Sequence, residues 1–259
     1  MTNRVVTLER RGDIAVVRID NPPVNALSQP VRAGLYAAFE QIATDSSLKA
    51  VVVHAEGRTF VAGADISEFT APVMAEPGFH QIFDRIEGQA VPVVAAIHGT
   101  ALGGGLELAL GCHFRIAKPD TQVALPEVKL GLLPGAGGTQ RLPRLIGLEP
   151  ALNLIVSGQS VPAGMFMGTK LFDEFSQGDL LQDALALAEK VIEEQRPIKR
   201  VRDMKVEHEH PEAFFLWART GISQMAKNFP APLKCVDAVE ASVFKSFEEG
   251  MKVERECFT

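Results

Sequence analysis

The segment of this sequence best suited to chemistry is a triple glycine, Gly103-Gly104-Gly105, followed at once by Leu106-Glu107. Glycines at a helix start leave backbone N–H groups with no Cβ in the way of a ligand. A helix N-terminus also carries partial positive charge and unpaired donors. It can bind phosphate or stabilise an oxyanion that develops during reaction. Glu107 falls in the first turn, within reach of whatever those donors hold. The bland alternative is tight helix–sheet packing, with Glu107 merely answering the helix dipole. From Gly88 to Phe114, Glu107 is the one Asp, Glu, Lys or Arg, and Ala101, Leu102 and Leu108 around it are apolar. Burying a lone acid without a use is costly, which favours the chemical alternative.

Two more segments share this character. Ala62-Gly63-Ala64-Asp65-Ile66 ends a loop and starts a helix, so its N–H groups could converge on the oxygen that Gly104 faces. Asp65 is also a good helix N-cap, and both readings can hold. Glu127 stands in an apolar loop (LPEVKLGLLPG, 125–135), twenty residues after Glu107. It either pairs with Lys129 or Arg141, or faces Glu107 as a second carboxylate. Two carboxylates with separated pKa values can divide acid and base work. Gly135-Ala136-Gly137-Gly138 is a weak phosphate-loop candidate. The dinucleotide and P-loop registers both fail, because position 140 is Gln and no Gly-Lys-Ser/Thr follows. The six histidines show no zinc spacing. Cys112 reads as inert, and Phe214, Phe215 and Trp217 read as a helix core stripe.

These residues need a scaffold. Apolar runs predict strands over 5–9, 14–19, 50–55, 91–97, 114–117, 122–124 and 171–175. The Arg-Gly-Asp at 11–13 reads as a hairpin turn. Helical periodicity covers 29–43, a stretch from 79 to about 88, 103–111, 148–157, 163–168, 180–195, 211–228 and 232–249. Segment 126–145 reads as a long Gly/Pro-rich loop. The order is strand-rich, then alternating, then helical, which predicts an α/β core over 1–195 and a helical region over 196–259.

Composition narrows the function classes. A chain of 259 residues, 46% hydrophobic, has enough material for a large core. Its net charge of −6 argues against a nucleic-acid partner. Pro92, the triple glycine and Glu107 argue against a membrane span in the uncharged run. Three scattered cysteines and the absence of a leader pattern point to a reducing cytoplasm.

NPPVNAL (21–27), FVAGADI (60–66), AIHGTALGGGLELAL (96–110) and PEVKLGLLPGAGGTQRL (126–142) match one pattern in order and spacing. They resemble the enoyl-CoA hydratase/isomerase, or crotonase, family, over about 5–195. The resemblance implies a crotonase-like spiral of ββα units with a helical C-terminal part. It implies an acyl-CoA thioester substrate and no separate cofactor, since coenzyme A is part of the substrate. Ala64 and Gly104 would hold the thioester oxygen through their N–H groups. Glu107 and Glu127 would activate water for addition across 2-trans-enoyl-CoA in fatty-acid β-oxidation, with Glu127 as proton donor. Val24, Ala26, Ala62, Asp65, Ile66, Ser67, Gly103, Pro126 and Gly135 would line the groove.

The family's alternatives are an enoyl-CoA isomerase, a bifunctional hydratase/isomerase, and a non-catalytic acyl-CoA-binding or RNA-binding relative. Lys170 departs from the pattern, standing where the family has glycine. Residues 229–258 look like the connecting helix of multifunctional enzymes, in which a 3-hydroxyacyl-CoA dehydrogenase module follows, although a free-standing relative could carry a similar tail. The resemblance also implies homotrimers or hexamers. Arg58 and the cluster 196–205, five bases and one acid, are candidates for the coenzyme A phosphates.

Overall fold

The computed structural model describes residues 5–70, 75–226 and 229–258. Two strands open the fold, β1 (Val6–Arg11) and β2 (Ile14–Ile19), paired antiparallel around Gly12-Asp13. Next come helix α1 (Gln29–Thr44), β3 (Ala50–Ala55), α2 (Phe79–Glu87), β4 (Val93–Ile97) and β5 (Thr100–Leu102). Then follow α3 (Gly104–Gly111), β6 (Phe114–Ala117), β7 (Gln122–Ala124), α4 (Gly138–Ile146) and α5 (Leu148–Ser157). The chain continues with β8 (Val161–Pro162), β9 (Glu174–Phe175), α6 (Leu180–Glu193), α7 (Pro211–Met225), α8 (Ala231–Phe244) and α9 (Phe247–Phe258).

The large sheet runs β1-β2-β3-β4-β6-β9, parallel from β2 onward. Its inner strands are mostly apolar, β4 wholly so, as burial on both faces requires. Val51 and Val53 of β3 join the main core, while Ala50 and Val52 pack under α6 with Leu187 and Val191. A second layer holds β5-β7-β8. Two isolated parallel bridges, Leu27 with Ala64 and Val61 with Ala101, extend it.

Chain order therefore repeats a unit: a strand in the large sheet, an extended segment in the second layer, then a helix. β2, Leu27 and α1 make one turn; β3, Val61–Ala64 and α2 the next; then β4, β5 and α3; then β6, β7 and α4. This is the expected mixed α/β spiral, with helices closing the C-terminal end. The spiral stacks loop 61–64 beside the start of α3.

Several expectations need correction. Residues 126–145 are not one loop: Pro126–Leu130 is a 3-10 turn and Gly138–Ile146 is helix α4. The expected helix over 232–249 is two helices, broken at Lys245-Ser246. The expected strand 171–175 pairs only at Glu174–Phe175, and 163–168 forms a 3-10 turn over Ala163–Phe166. β5 was not foreseen, being only three residues long. Trp217 is not core: it is 73% exposed, while Phe215 beside it is buried. The end of the helix expected over 211–228 lies outside the described residues. The basic stretch 196–205 is tied down, with Lys199 on Asp173, Arg196 on Glu194 and Arg202 on Asp84 and Glu87.

Candidate functional site

Helix α3 is buried throughout and is preceded by its N-cap Gly103, whose φ of +51° favours glycine. A Cβ on Gly103 would come within 2.6 Å of Glu127 Oε1. The Gly103 N–H bonds the Ala124 carbonyl at 2.9 Å, pinning the helix start to β7. Gly104 is the first residue of α3, where an N–H has no intrahelical partner. Leu27 N–H bonds Gly63 O at 2.9 Å and holds the neighbouring loop in place. A Cβ on Gly104 would lie 3.6 Å from Ala64 N, so the two backbones are in contact. Neither Ala64 N–H nor Gly104 N–H donates within the backbone hydrogen-bond network of the described residues. Two adjacent, unspent donors at a helix N-terminus are suited to one oxyanion.

Gly105 lets α3 lie this close. A Cβ there would sit 2.1 Å from the Val61 carbonyl oxygen, which is main chain and cannot rotate away. Gly105→Ala is expected to lower stability by about 1–3 kcal/mol, as overpacking does. It would also part Gly104 from Ala64. Thermal unfolding against Gly221→Ala, whose Cβ meets nothing within 4 Å, checks this. A Gly105→Ala protein that melts like its parent would contradict the packing.

Both acids open into one cavity of about 470 Å³. Ala62, Ala64, Ile66, Gly103, Gly104, Glu107, Pro126, Glu127 and Gly135 line it. Four of the residues expected from sequence do not. Val24 stands behind the loop, its carbonyl accepting from Ala62 N–H at 3.1 Å. Ala26 is half-buried beside it. Asp65 turns to Ser67, accepting from its N–H at 3.0 Å and its hydroxyl at 2.7 Å, the capping role weighed above. Ser67 is exposed.

The two carboxylates differ in surroundings. Glu107 is 3% exposed, and its Oε1 accepts from Ala136 N–H and Gly138 N–H, both at 2.8 Å. Burial pushes its pKa up, while those two N–H groups and Arg141 pull it back. Glu127 sits in the 3-10 turn Pro126–Leu130, and its Oε2 is shielded from solvent with no hydrogen-bond partner among the described residues. Burial, then repulsion from Glu107, pushes its pKa to about 8. The ion-pair alternative, with Lys129 or Arg141, is not formed among the described residues: Arg141 binds Glu87 at 2.7 Å. The loop before α4 presents its Ala136 and Gly138 N–H groups to Glu107.

Sequence reasoning missed a third carboxylate. Glu254 on α9 is fully buried. It accepts from Gly137 N–H at 2.7 Å and from Thr139 N–H at 3.1 Å, and the Thr139 hydroxyl donates to it at 2.5 Å. The available signal was an acid on a buried stripe, since Phe247, Gly250 and Glu254 follow helical spacing. The cavity is also lined by apolar residues not named from sequence: Phe79 from α2, Leu130 and Leu132, and Phe258 from α9. A Cβ on Gly135 would be 2.7 Å from the Phe258 ring, so glycine there lets the ring close over. Arg255 is the Lys or Arg lining this cavity, and it is exposed.

Comparisons with known proteins agree with this geometry. A family model described as "Enoyl-CoA hydratase/isomerase" matches residues 9–234. A "Peroxisomal bifunctional enzyme" from Cavia porcellus is 39% identical over 251 residues, covering 95% of this chain and 34% of its own length. The chain thus spans about a third of such relatives. A "Probable enoyl-CoA hydratase" from Bacillus subtilis (strain 168) is 44% identical over 189 residues, 70% of this chain and 73% of that protein. Among solved structures, an enoyl-CoA hydratase from Mycobacterium tuberculosis H37Rv superposes with a TM-score of 0.69 at 29% identity, covering 97% of this chain and 89% of that one.

Proposed function

The chain belongs to the enoyl-CoA hydratase/isomerase family, and from that premise we propose that it adds water across 2-trans-enoyl-CoA to give 3-hydroxyacyl-CoA. The observation that carries this is the pairing of two unlike carboxylates with two unspent N–H donors in one largely apolar cavity.

The thioester oxygen accepts from Ala64 and Gly104 N–H. As the water oxygen bonds C3, the electron pair of the C2–C3 double bond shifts toward C1 and the carbonyl pair moves onto the thioester oxygen, giving an enolate held by the same donors. Glu107, with two N–H bonds to its carboxylate, is the group that ionises first and takes the water proton. Glu127, whose Oε2 has no donor, keeps its proton and delivers it to C2. The chemistry uses only carboxylates, water and backbone, coenzyme A being part of the substrate.

Loss of the ultraviolet absorbance of the conjugated thioester of crotonyl-CoA tests this. Gain of that absorbance from 3-enoyl-CoA, without its loss from 2-enoyl-CoA, would replace hydration by isomerisation.

The acid role of Glu127 predicts a pH dependence. Its proton is lost as pH rises through about 8, so kcat should fall above that pH. The limb belongs to the coupled carboxylates as a set. A kcat profile flat to pH 10 would exclude Glu127 as donor.

The product class is the substrate of a 3-hydroxyacyl-CoA dehydrogenase, and we place that activity as the partner, fused or separate, with β-oxidation as the setting. The bifunctional relatives are named for two activities, which supports a second activity beside this one. Trimeric or hexameric assembly, a division of the chain near residue 195 and a cytoplasmic location belong to the same proposal. Three free thiols support the location. No helix among the described residues is long and apolar enough to cross a membrane.

A further inference from the structure

The loop leading into α4 is held from two sides. Four successive N–H groups alternate in direction: Ala136 and Gly138 donate to Glu107, and Gly137 and Thr139 donate to Glu254. The loop cannot rotate toward one acid without releasing the other. It has little slack, because Gly137 has φ +99° and a Cβ there would meet Arg141 Nη1 at 2.1 Å. Helix α9 reaches the loop through Gly250, whose Cβ would stand 2.1 Å from Gln140 Oε1. Gln140 is itself tied to the Ala238 carbonyl at 2.7 Å.

We propose that Glu254 is a positioning residue for hydration, holding the loop from the far side so that the Ala136 and Gly138 N–H groups stay aimed at Glu107. The proposal rests on the hydratase reading above and extends it to a helix that none of the four sequence motifs includes.

A carboxylate is a costly choice for a clamp. Buried acids are disfavoured without a cation, and among the described residues none forms an ion pair with Glu254. Burial, then repulsion from Glu107, pushes the Glu254 pKa to about 8. The titratable groups facing it are Glu107 from α3, Glu127 from the 3-10 turn, Cys235 from α8 and Cys257 on α9 itself. Near neutral pH, Glu254 therefore keeps its proton and leaves the negative charge to Glu107. The clamp both aims the donors of Glu107 and yields charge to it.

Glu254→Gln in the full chain tests this, because it keeps the side-chain volume but removes one acceptor and the ionisable group. The expected result with crotonyl-CoA is a kcat about 10–100-fold lower with KM little changed, the scale of misplacing a group that touches the reaction. The alkaline limb of the pH profile should also move to lower pH, since an acid that repelled Glu127 is gone. Thr139→Val removes only the hydroxyl donor and should lower kcat less, with Thr139→Ser restoring it.

An unmoved alkaline limb in Glu254→Gln would overturn the proposal, even if kcat and thermal stability both fell. The hydratase reading fails separately, if the parent protein leaves crotonyl-CoA untouched. In that case the infrared carboxyl titration of the unliganded protein still decides. A downward shift of the Glu127 titration in Glu254→Gln supports the coupling, and no shift overturns it.

Discussion

Replacing Glu127 by Gln should lower kcat for crotonyl-CoA hydration by about 10²–10⁴-fold, the usual range for a general acid or base. The amide matches the acid in size and still fits under Gly103, but it cannot deliver a proton to C2. Glu107→Gln should cost a similar factor for a different reason. Glu107 Oε1 accepts two N–H bonds, so the amide must keep its oxygen there and point its NH₂ into the cavity. A group that only donates cannot take the water proton. Binding should change little in either variant, since Ala64 and Gly104 still hold the thioester oxygen. The split is therefore kcat lost and KM kept. The double variant should be scarcely worse than either single one, because the two acids act on one water. Unchanged hydration in both single variants would end the catalytic assignment of the pair.

Glu87→Ala should be the most damaging change to stability, by about 3–5 kcal/mol, as for a buried ion pair broken on one side. Glu87 is 2% exposed and binds Arg141 at 2.7 Å and Arg202 at 2.9 Å. Both guanidinium groups also stack on the Phe247 ring, each 4.9 Å from its centre. Removing the acid leaves Arg141 buried with no carboxylate partner. At roughly 2–4 °C per kcal/mol for a domain of this size, the melting temperature should drop by about 6–20 °C. A drop equivalent to less than about 1 kcal/mol would show that Glu87 contributes no more than a surface pair. The damage should reach the site, because Arg141 Nη1 also bonds the Ala136 carbonyl at 3.3 Å.

The same set of acids shapes stability against pH. Burial works to raise the Glu87 pKa, but Arg141 and Arg202 outweigh it and hold it below 4.5. Its contribution is present above that value and is lost as pH falls through the folded pKa. Glu127 and Glu254 are shifted the other way, to about 8. Their contribution is complete below 4.5 and disappears as pH rises through 8. The maximum therefore lies between these limits.

Much of the scaffold is legible in local sequence. The strands Ile14–Ile19, Ala50–Ala55, Phe114–Ala117 and Gln122–Ala124 and the helix Leu148–Ser157 fall where their apolar runs start and stop. Helix α4 was hidden because it opens on glycine and contains Pro143, two residues that argue against a helix when read alone. The break at Lys245-Ser246 was hidden because helical periodicity on its two sides is nearly in phase.

By itself the sequence determined the α/β order, the glycine start of α3, and the presence of Glu107 and Glu127 in apolar segments. These are local facts, set by side-chain size, backbone freedom and the period of apolar residues. Only the tertiary structure decided which donors each acid receives. Glu107 is anchored by a loop about thirty residues away, and Glu254 reaches that loop across 117 positions. Such pairings follow from how the spiral stacks its turns and where α9 lands, and no local spacing encodes them. The same packing leaves Glu127 Oε2 without a partner among the described residues, the asymmetry on which the proposed division into base and donor rests.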